Sequence, residues 1–326
     1  MDELIDIARR QGYITTREAM ALGAHEHTLG RLADAGLLER GARGTFLLPS
    51  DRYLSDAHAL LTKSQLDRDP FAAASHHSAL ALHGIALHGV AWGQVHVLDP
   101  RKTSSVHRSI HRHVRRPTDR FTQVDGYPVA TLPLALAQVA ARFGVTAGVV
   151  SLDHALHLDR CTTDDVSEIL ALGRLRRGLT FVRRALDLAD GRAQSPGESR
   201  LRCILADAPW SIESQVNVDG PGSGYELDLL VAGRVAVEFD GDCKYQGPEG
   251  HRAVIDEKRR EDAIRDMGFG VARFTWTELD YPVAVRRTIQ RRVLATPPLR
   301  PEVIADLTRR NLTWEAPPDA LRLSGS

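Results

Sequence analysis

The sequence predicts an α+β protein of several domains, and three observations carry that expectation. The first fifty residues hold three short segments with helical spacing and a Gly-rich hairpin. Residues 51–194 mix helical and strand-like segments. From residue 195 a capped helix leads into apolar strands interrupted by acids, then a charged helix and a further strand. A chain of 326 residues is long enough for two or three such domains.

In residues 1–50, Leu4, Ile5, Ile7 and Ala8 recur at helical spacing and Gly12 ends the segment. A second helix, TTREAMALG, has Thr15 or Thr16 as its cap and Gly23 as its stop. HEHTLGRLADAG gives a third, ending at Gly36, and LLERGARGTFLLP reads as a hairpin with an Arg-bearing tip. Three helices and a hairpin make a winged helix-turn-helix. Its third helix would enter the DNA major groove, so His27, Thr28 and Arg31 are candidate contacts. Arg40 and Arg43 on the wing are candidates for phosphates. A winged helix used only for protein contacts is the plainer alternative.

In the middle region, residues 51–194, ASHHSALALHGI looks like a capped helix and GQVHVLDP like a strand. TSSVHRSIHRHVRRPTDR carries Arg108, Arg112, Arg115, Arg116 and Arg120 against one acid, Asp119, and alternates enough to be a basic strand. Arg112, Arg115 and Arg116 are therefore candidate DNA contacts. A turn, strand and helix follow in DGYPVATLPLALAQVAARFG, then two further helical segments. His76, His77, His107, His111 and His113 lack cysteine partners. They read as surface residues on a DNA-facing strand in preference to a metal site.

The third region, residues 195–296, centres on YELDLLVAGRVAVEFDGDCKY. Leu227, Leu229 and Val231 should share one strand face and Asp228 the other; Val235, Val237 and Phe239 should oppose Glu238 and Asp240. A three-residue turn, Val231-Ala232-Gly233, puts Asp228 and Glu238 on one face as diagonal neighbours, close enough to share a cation. Upstream, Ser195 is a helix N-cap, Pro196 fits the first helical position and Glu198 follows three residues after the serine. A charged helix ending at Gly268 and a strand from Val271 to Trp276 complete the unit.

This order of elements, carried by SPGES, ELDLLV, VEFDG-x-x-KY and EKRRED…GFGVARFTW, resembles the PD-(D/E)XK (restriction-endonuclease-like) core with a mixed central sheet, and more narrowly the very-short-patch-repair-like endonucleases. The resemblance implies Asp228 and Glu238 as metal-binding carboxylates, Glu198 as a third acid, and one or two Mg²⁺ (or Mn²⁺) ions activating water. The family's Glu-x-Lys lysine is replaced by Asp240. Lys244 is the preferred substitute, with Asp240 and Lys258 as accessory candidates. Plainer readings stay open: Glu198 as half of a capping box, Asp240-Gly241 as a turn, Lys244 as an edge charge and Lys258 as a partner of Asp262. Residues 1–50 and the middle layout are similar to antitoxins of the AbiEi type, although Leu134-Ala135 stand where that family usually has Arg-Thr.

Two functions follow as expectations. One is a DNA-binding, metal-dependent endodeoxyribonuclease in phage defence or a toxin–antitoxin setting. The other is a non-catalytic regulator of the antitoxin type with DNA and a cognate toxin protein as partners. Formal charge is balanced, with 42 basic and 42 acidic residues, so basic character is local. Cys161, Cys203 and Cys243 are scattered and odd in number, which fits a reducing cytoplasm better than a disulfide framework. No apolar run suits a membrane span, and the first residues lack a signal-peptide pattern. A tail, residues 297–326, offers one more helix, PEVIADLTRRN, before a terminal RLSGS expected to be disordered.

Overall fold

The computed structural model describes residues 2–25, 27–100, 104–107, 109–117, 119–173, 175, 177–220, 224–241 and 247–311, without the side chains of 247–254. The chain divides into two compact units, Met1–Asp187 and Leu188–Ser326. It is an α+β protein with three sheets.

The first unit begins with α1 (Asp2–Gln11), β1 (Tyr13–Thr15), α2 (Thr16–Ala21), α3 (Thr28–Asp34), β2 (Glu39–Arg40) and β3 (Thr45–Leu47). That is the element order of a winged helix. Thr15 starts α2 through a complete capping box: its hydroxyl accepts from the Glu18 amide, and the Glu18 carboxylate accepts from the Thr15 amide at 2.8 Å. Leu4, Ala8, Leu29, Leu32 and Leu38 close a small core beneath the sheet β1-β3-β2.

The next helix, α4 (Leu54–Arg68), is shared between this module and the rest of the unit. Ser64 and Thr45 share a hydroxyl hydrogen bond of 3.0 Å. Arg68 donates to the carbonyls of Arg43 and Gly44 and to the Thr45 hydroxyl. Tyr13 donates its phenolic proton to Asp67; burial, and then this bond, push the phenol pKa far up.

Then come β4 (Ala73–Ala74), α5 (His76–Leu82), β5 (Val95–Asp99), β6 (Ser105–His107), β7 (Ile110–Val114), β8 (Phe121–Val124) and β9 (Tyr127–Ala130). They form one sheet ordered β6-β7-β5-β4-β9-β8, with β5/β7 and β4/β9 parallel. α6 (Leu132–Phe143), α7 (Val145–His157), α8 (Thr163–Ala171) and α9 (Leu179–Leu188) follow. Leu134 and Ala135 are buried on α6, so that stretch is core.

The second unit holds α10 (Pro196–Leu205), β10 (Ile212–Val218), β11 (Tyr225–Val231), β12 (Val235–Phe239), α11 (Gly247–Asp266), β13 (Gly270–Phe274), α12 (Pro282–Ala295) and α13 (Pro301–Arg310). The sheet runs β10-β11-β12-β13; only the β12/β13 pairing is parallel. Leu201, Leu205, Val285 and Ile289 of α10 and α12 pack with Leu229, Val231, Val235 and Val237. Ile264 and Leu307 of α11 and α13 pack with Leu227, Leu230 and Ala236. Helices thus cover the sheet with two separate cores.

Two local expectations need correction. The turn is three residues long but shifted by one: Val231 pairs with Val235, so the loop is Ala232-Gly233-Arg234, with Ala232 (φ 52°) and Gly233 (φ 60°) both left-handed. Continued along the strands, that register sets Asp228 directly opposite Glu238, where a diagonal placement was expected. Leu227 also leaves the face of Leu229 and Val231 and joins the other core. Gln215, which the register sets opposite Asp228, has φ 54°, and this kink in β10 turns the strand pair over.

Candidate functional site

Three places gather candidate residues. The first is a cleft of about 670 Å³ on the winged-helix module, lined by His27 and Arg31 of the α3 region, Arg40 and Arg43 of the wing, and Arg17 and Arg68. Asp34 is the acid on its wall, and Arg40 reaches it at 2.7 Å. Thr28, the first residue of α3, is half-buried and does not line the cleft. His27 sits at the N-cap without a capping bond from its side chain, which leaves the ring exposed. Arg17 and Arg68 had no marker in sequence; the structure recruits them because α2 and the end of α4 flank the wing.

The second place is the carboxylate group on the four-stranded sheet. α10 starts at Ser195, whose hydroxyl accepts from the Glu198 amide at 3.2 Å. Gly197 lets the helix close on β12: a β-carbon there would meet the Phe239 ring at 2.2 Å. That contact holds Glu198, 6% exposed, beside the sheet. Its carboxylate accepts from the Gln194 amide at 2.9 Å and from the Gln215 side-chain amide at 2.6 Å. It does not reach back to Ser195, so the box is half-built and Glu198 is spent on the kinked residue of β10.

Asp228 accepts from the Phe239 amide at 2.7 Å. Burial pushes its carboxyl up to about 7, aided by the charges of Glu238 and Glu198 and opposed by the Phe239 amide and Arg260. Glu238 is also pushed up by burial, while Arg260 opposes the shift. Arg260 grips both Glu238 oxygens, at 2.7 and 3.1 Å, and donates to the Glu226 carbonyl. Glu257 joins Arg260 to Arg273, and Glu261 pairs with Arg273 in turn.

Arg260 therefore stands where a cation was expected. Magnesium needs near-octahedral oxygen ligands. Glu238 gives both oxygens to a guanidinium, and Glu198 is held by two amides. Among the described residues the three acids do not form a cluster tight enough to share an ion. As arranged, they do not fit a resident Mg²⁺. Asp240 and Lys258 line a separate cleft of about 300 Å³ with Glu257, Glu261 and Arg273. Lys244 lies outside the described residues. Arg260 carried no marker in sequence, being one of several charges on a charged helix.

The third place is the interior of the first unit, where the reading of the histidines as surface residues is overturned. His58, His76, His77 and His96 are buried, and His111 and His113 are half-buried beside them; of the five expected at the surface, only His107 is exposed. Parallel pairing of β7 with β5 sets His111 and His113 opposite His96 and Leu98, facing inward. Burial, with mutual repulsion, lowers the pKa of His77 to about 3, His96 to about 2 and His113 to about 3, so these rings are neutral. His58 and His96 carried no reading in sequence; the one usable signal was His96 set between two valines, in a strand that the structure buries throughout.

The basic strand is corrected with them. Arg112 is paired with the buried Asp69 at 2.5 Å and Asp99 at 2.7 Å, so its charge is spent inside the unit. Arg115 lies over the Phe121 ring at 4.1 Å and is exposed. Arg116 is half-buried on the rim of the histidine cleft. Arg108 lies outside the described residues.

The winged-helix order and the arginine-walled cleft give the start of the first unit the architecture of a helix-turn-helix module. The comparisons narrow it. Residues 2–49 match the family model "Transcriptional regulator, AbiEi antitoxin", and residues 72–188 match "AbiEi antitoxin C-terminal domain". Two uncharacterized proteins of Mycobacterium tuberculosis, from strains CDC 1551 / Oshkosh and ATCC 25618 / H37Rv, are each 29% identical over 200 residues, covering 60% of this chain and 70% of theirs. No helix among the described residues is long and apolar enough to cross a membrane.

Proposed function

We propose that the protein is a DNA-binding regulator of the antitoxin type, acting with a cognate toxin protein as its partner. The observation that carries this reading is the cleft in which α3 and the wing set Arg31, Arg40 and Arg43 together with Arg17 and Arg68. Clustered guanidinium groups at a helix-turn-helix are suited to phosphate oxygens, and His27, exposed at the start of α3, is a candidate for base contact, with half-buried Thr28 beside it. The two family matches lie on the unit that carries this cleft. The test is fluorescence anisotropy with DNA from upstream of the protein's own gene. Binding should be salt-dependent and lost in the Arg31→Glu/Arg43→Glu variant. Equal binding by wild type and variant would reject the assignment.

A second reading is metal-dependent DNA cleavage, for which Asp228, Glu238 and Glu198 would have to give up their present partners to hold Mg²⁺ or Mn²⁺. What favours it is that burial, with the charges of Glu238 and Glu198 added to it, raises the Asp228 carboxyl, and a divalent ion would relieve the part due to those charges. It requires Arg260 to leave Glu238. Supercoiled DNA incubated with Mg²⁺, Mn²⁺ or chelator, beside Asp228→Ala, tests it: nicking that needs metal and disappears in the variant supports cleavage, and intact DNA throughout removes it.

A further inference from the structure

A protein interior is normally packed with apolar side chains, because a buried polar nitrogen without a partner is costly. The first unit departs from this at a group of histidines. His76 of α5, His96 of β5 and His113 of β7 converge, although they come from three separate elements. The His76 and His113 rings stack at 4.1 Å between centroids, and His96 stands 4.9 and 5.0 Å from them. One ring nitrogen from each lies within 4.8 Å of the other two. His96 is 0% exposed, and its Nε2 finds no hydrogen-bond partner.

We propose that His76, His96 and His113 form a three-imidazole site for a divalent transition-metal ion of borderline softness, Zn²⁺ foremost. Neutral imidazole is a ligand that such ions favour, while Mg²⁺ and Ca²⁺ prefer oxygen. Zinc–nitrogen bonds of 2.0–2.1 Å in a tetrahedron set ligand nitrogens roughly 3.3 Å apart. His113 Nε2 and His96 Nδ1 share a hydrogen bond of 3.1 Å, so an ion held by these two nitrogens would replace the proton between them, and His76 is the ring that must close in. Its setting favours that. The Ser75 hydroxyl meets His76 Nδ1 at 3.1 Å, which leaves Nε2 for an ion, and Gln138 accepts from the His76 amide at 3.0 Å. His76 also has φ 53°, a strained backbone for a non-glycine residue, and this conformation is set where the ring is aimed.

Three protein ligands leave a fourth position, as in metal sites that take an exchangeable ligand. His76 and His113 line an open cleft of about 700 Å³ whose wall also carries Arg116, Arg142 and Arg177. These arginines disfavour a bare cation and draw in an anion as the fourth ligand, hydroxide or a small carboxylate. The anion would then lie between the ion and the arginines on the cleft wall.

The experiment uses the full chain without a polyhistidine tag, stripped with chelator and dialysed against Zn²⁺ or Co²⁺. Wild type should take up one ion per chain, and Co²⁺ should give the visible spectrum of a tetrahedral nitrogen-donor site. His113→Gln should weaken Zn²⁺ binding by roughly 100-fold, and Ser75→Ala by about 10-fold through the freed imidazole. His107→Gln, on the exposed strand, should bind as wild type does. No uptake by wild type in excess ion, or equal loss in His107→Gln and His113→Gln, overturns the site. If His113→Gln does not fold, X-ray absorption of the zinc-loaded wild type decides: three histidine nitrogens uphold the assignment and fewer overturn it.

Discussion

Asp228 and Glu238 face each other across the β11–β12 hairpin, yet only Glu238 has a guanidinium, Arg260, on both of its oxygens. The two acids are close enough to raise one carboxyl against the other. They are stabilised by different means: one by an ion pair and one by a backbone amide.

Removing Arg260 strands a buried charge. Glu238 is only 8% exposed in its side chain and Arg260 22%. Arg260→Ala should lower unfolding free energy by about 3 kcal/mol, and Arg260→Ala combined with Glu238→Gln should recover much of it. Urea denaturation checks this; an additive double variant would show that the pair is not coupled.

The Asp228 carboxyl titrates near 7 when folded, above its ordinary value near 3.8. The folded chain then binds a proton more tightly than the unfolded one between those limits. Its contribution is full below about pH 4 and fades as pH rises toward 7. Asp228→Asn removes that tilt. Relative to wild type, the variant should gain on the order of 3 kcal/mol between pH 4 and pH 8. Parallel pH profiles for the two proteins would contradict this.

Arg43 and Arg112 were equivalent as basic residues in sequence, and the structure separates them. Arg43→Ala should weaken binding to all DNA sequences alike and reduce the slope of log K against log salt by about 1. Titrations at three or more salt concentrations read this directly, and an unchanged slope counts against a phosphate contact at Arg43.

Arg112→Ala should leave that slope alone. It removes the guanidinium that Asp69 and Asp99 share, and their side chains are 8% and 3% exposed. A loss of about 3–5 kcal/mol is expected by denaturant titration. Reduced DNA affinity with intact stability would return Arg112 to the nucleic-acid surface.

The contrast shows what was legible. Local signals worked where a few neighbouring residues decide the outcome. The cap at Thr15, one of the two threonines expected, the Ser195 cap and the three-residue length of the hairpin turn all follow from short-range chemistry. Partner choice across the fold did not. Nothing near Arg260 in sequence points to Glu238, 22 residues away, and nothing near Arg112 points to Asp69. The turn shifted by one residue because Ala232 accepts a left-handed backbone that sequence assigned to Gly233 alone. The histidines were misplaced because alternation in β7 does not say which side faces the interior; the parallel pairing with β5 does.

Helix α4 closes the wing through Ser64 and Arg68 and anchors Tyr13 through Asp67. A fragment cut at residue 50 would lose all three ties and bare the underside of its own sheet. An excised reading head that keeps its shape must therefore run on through Arg68, and a fragment ending there should outlast the shorter one in limited proteolysis.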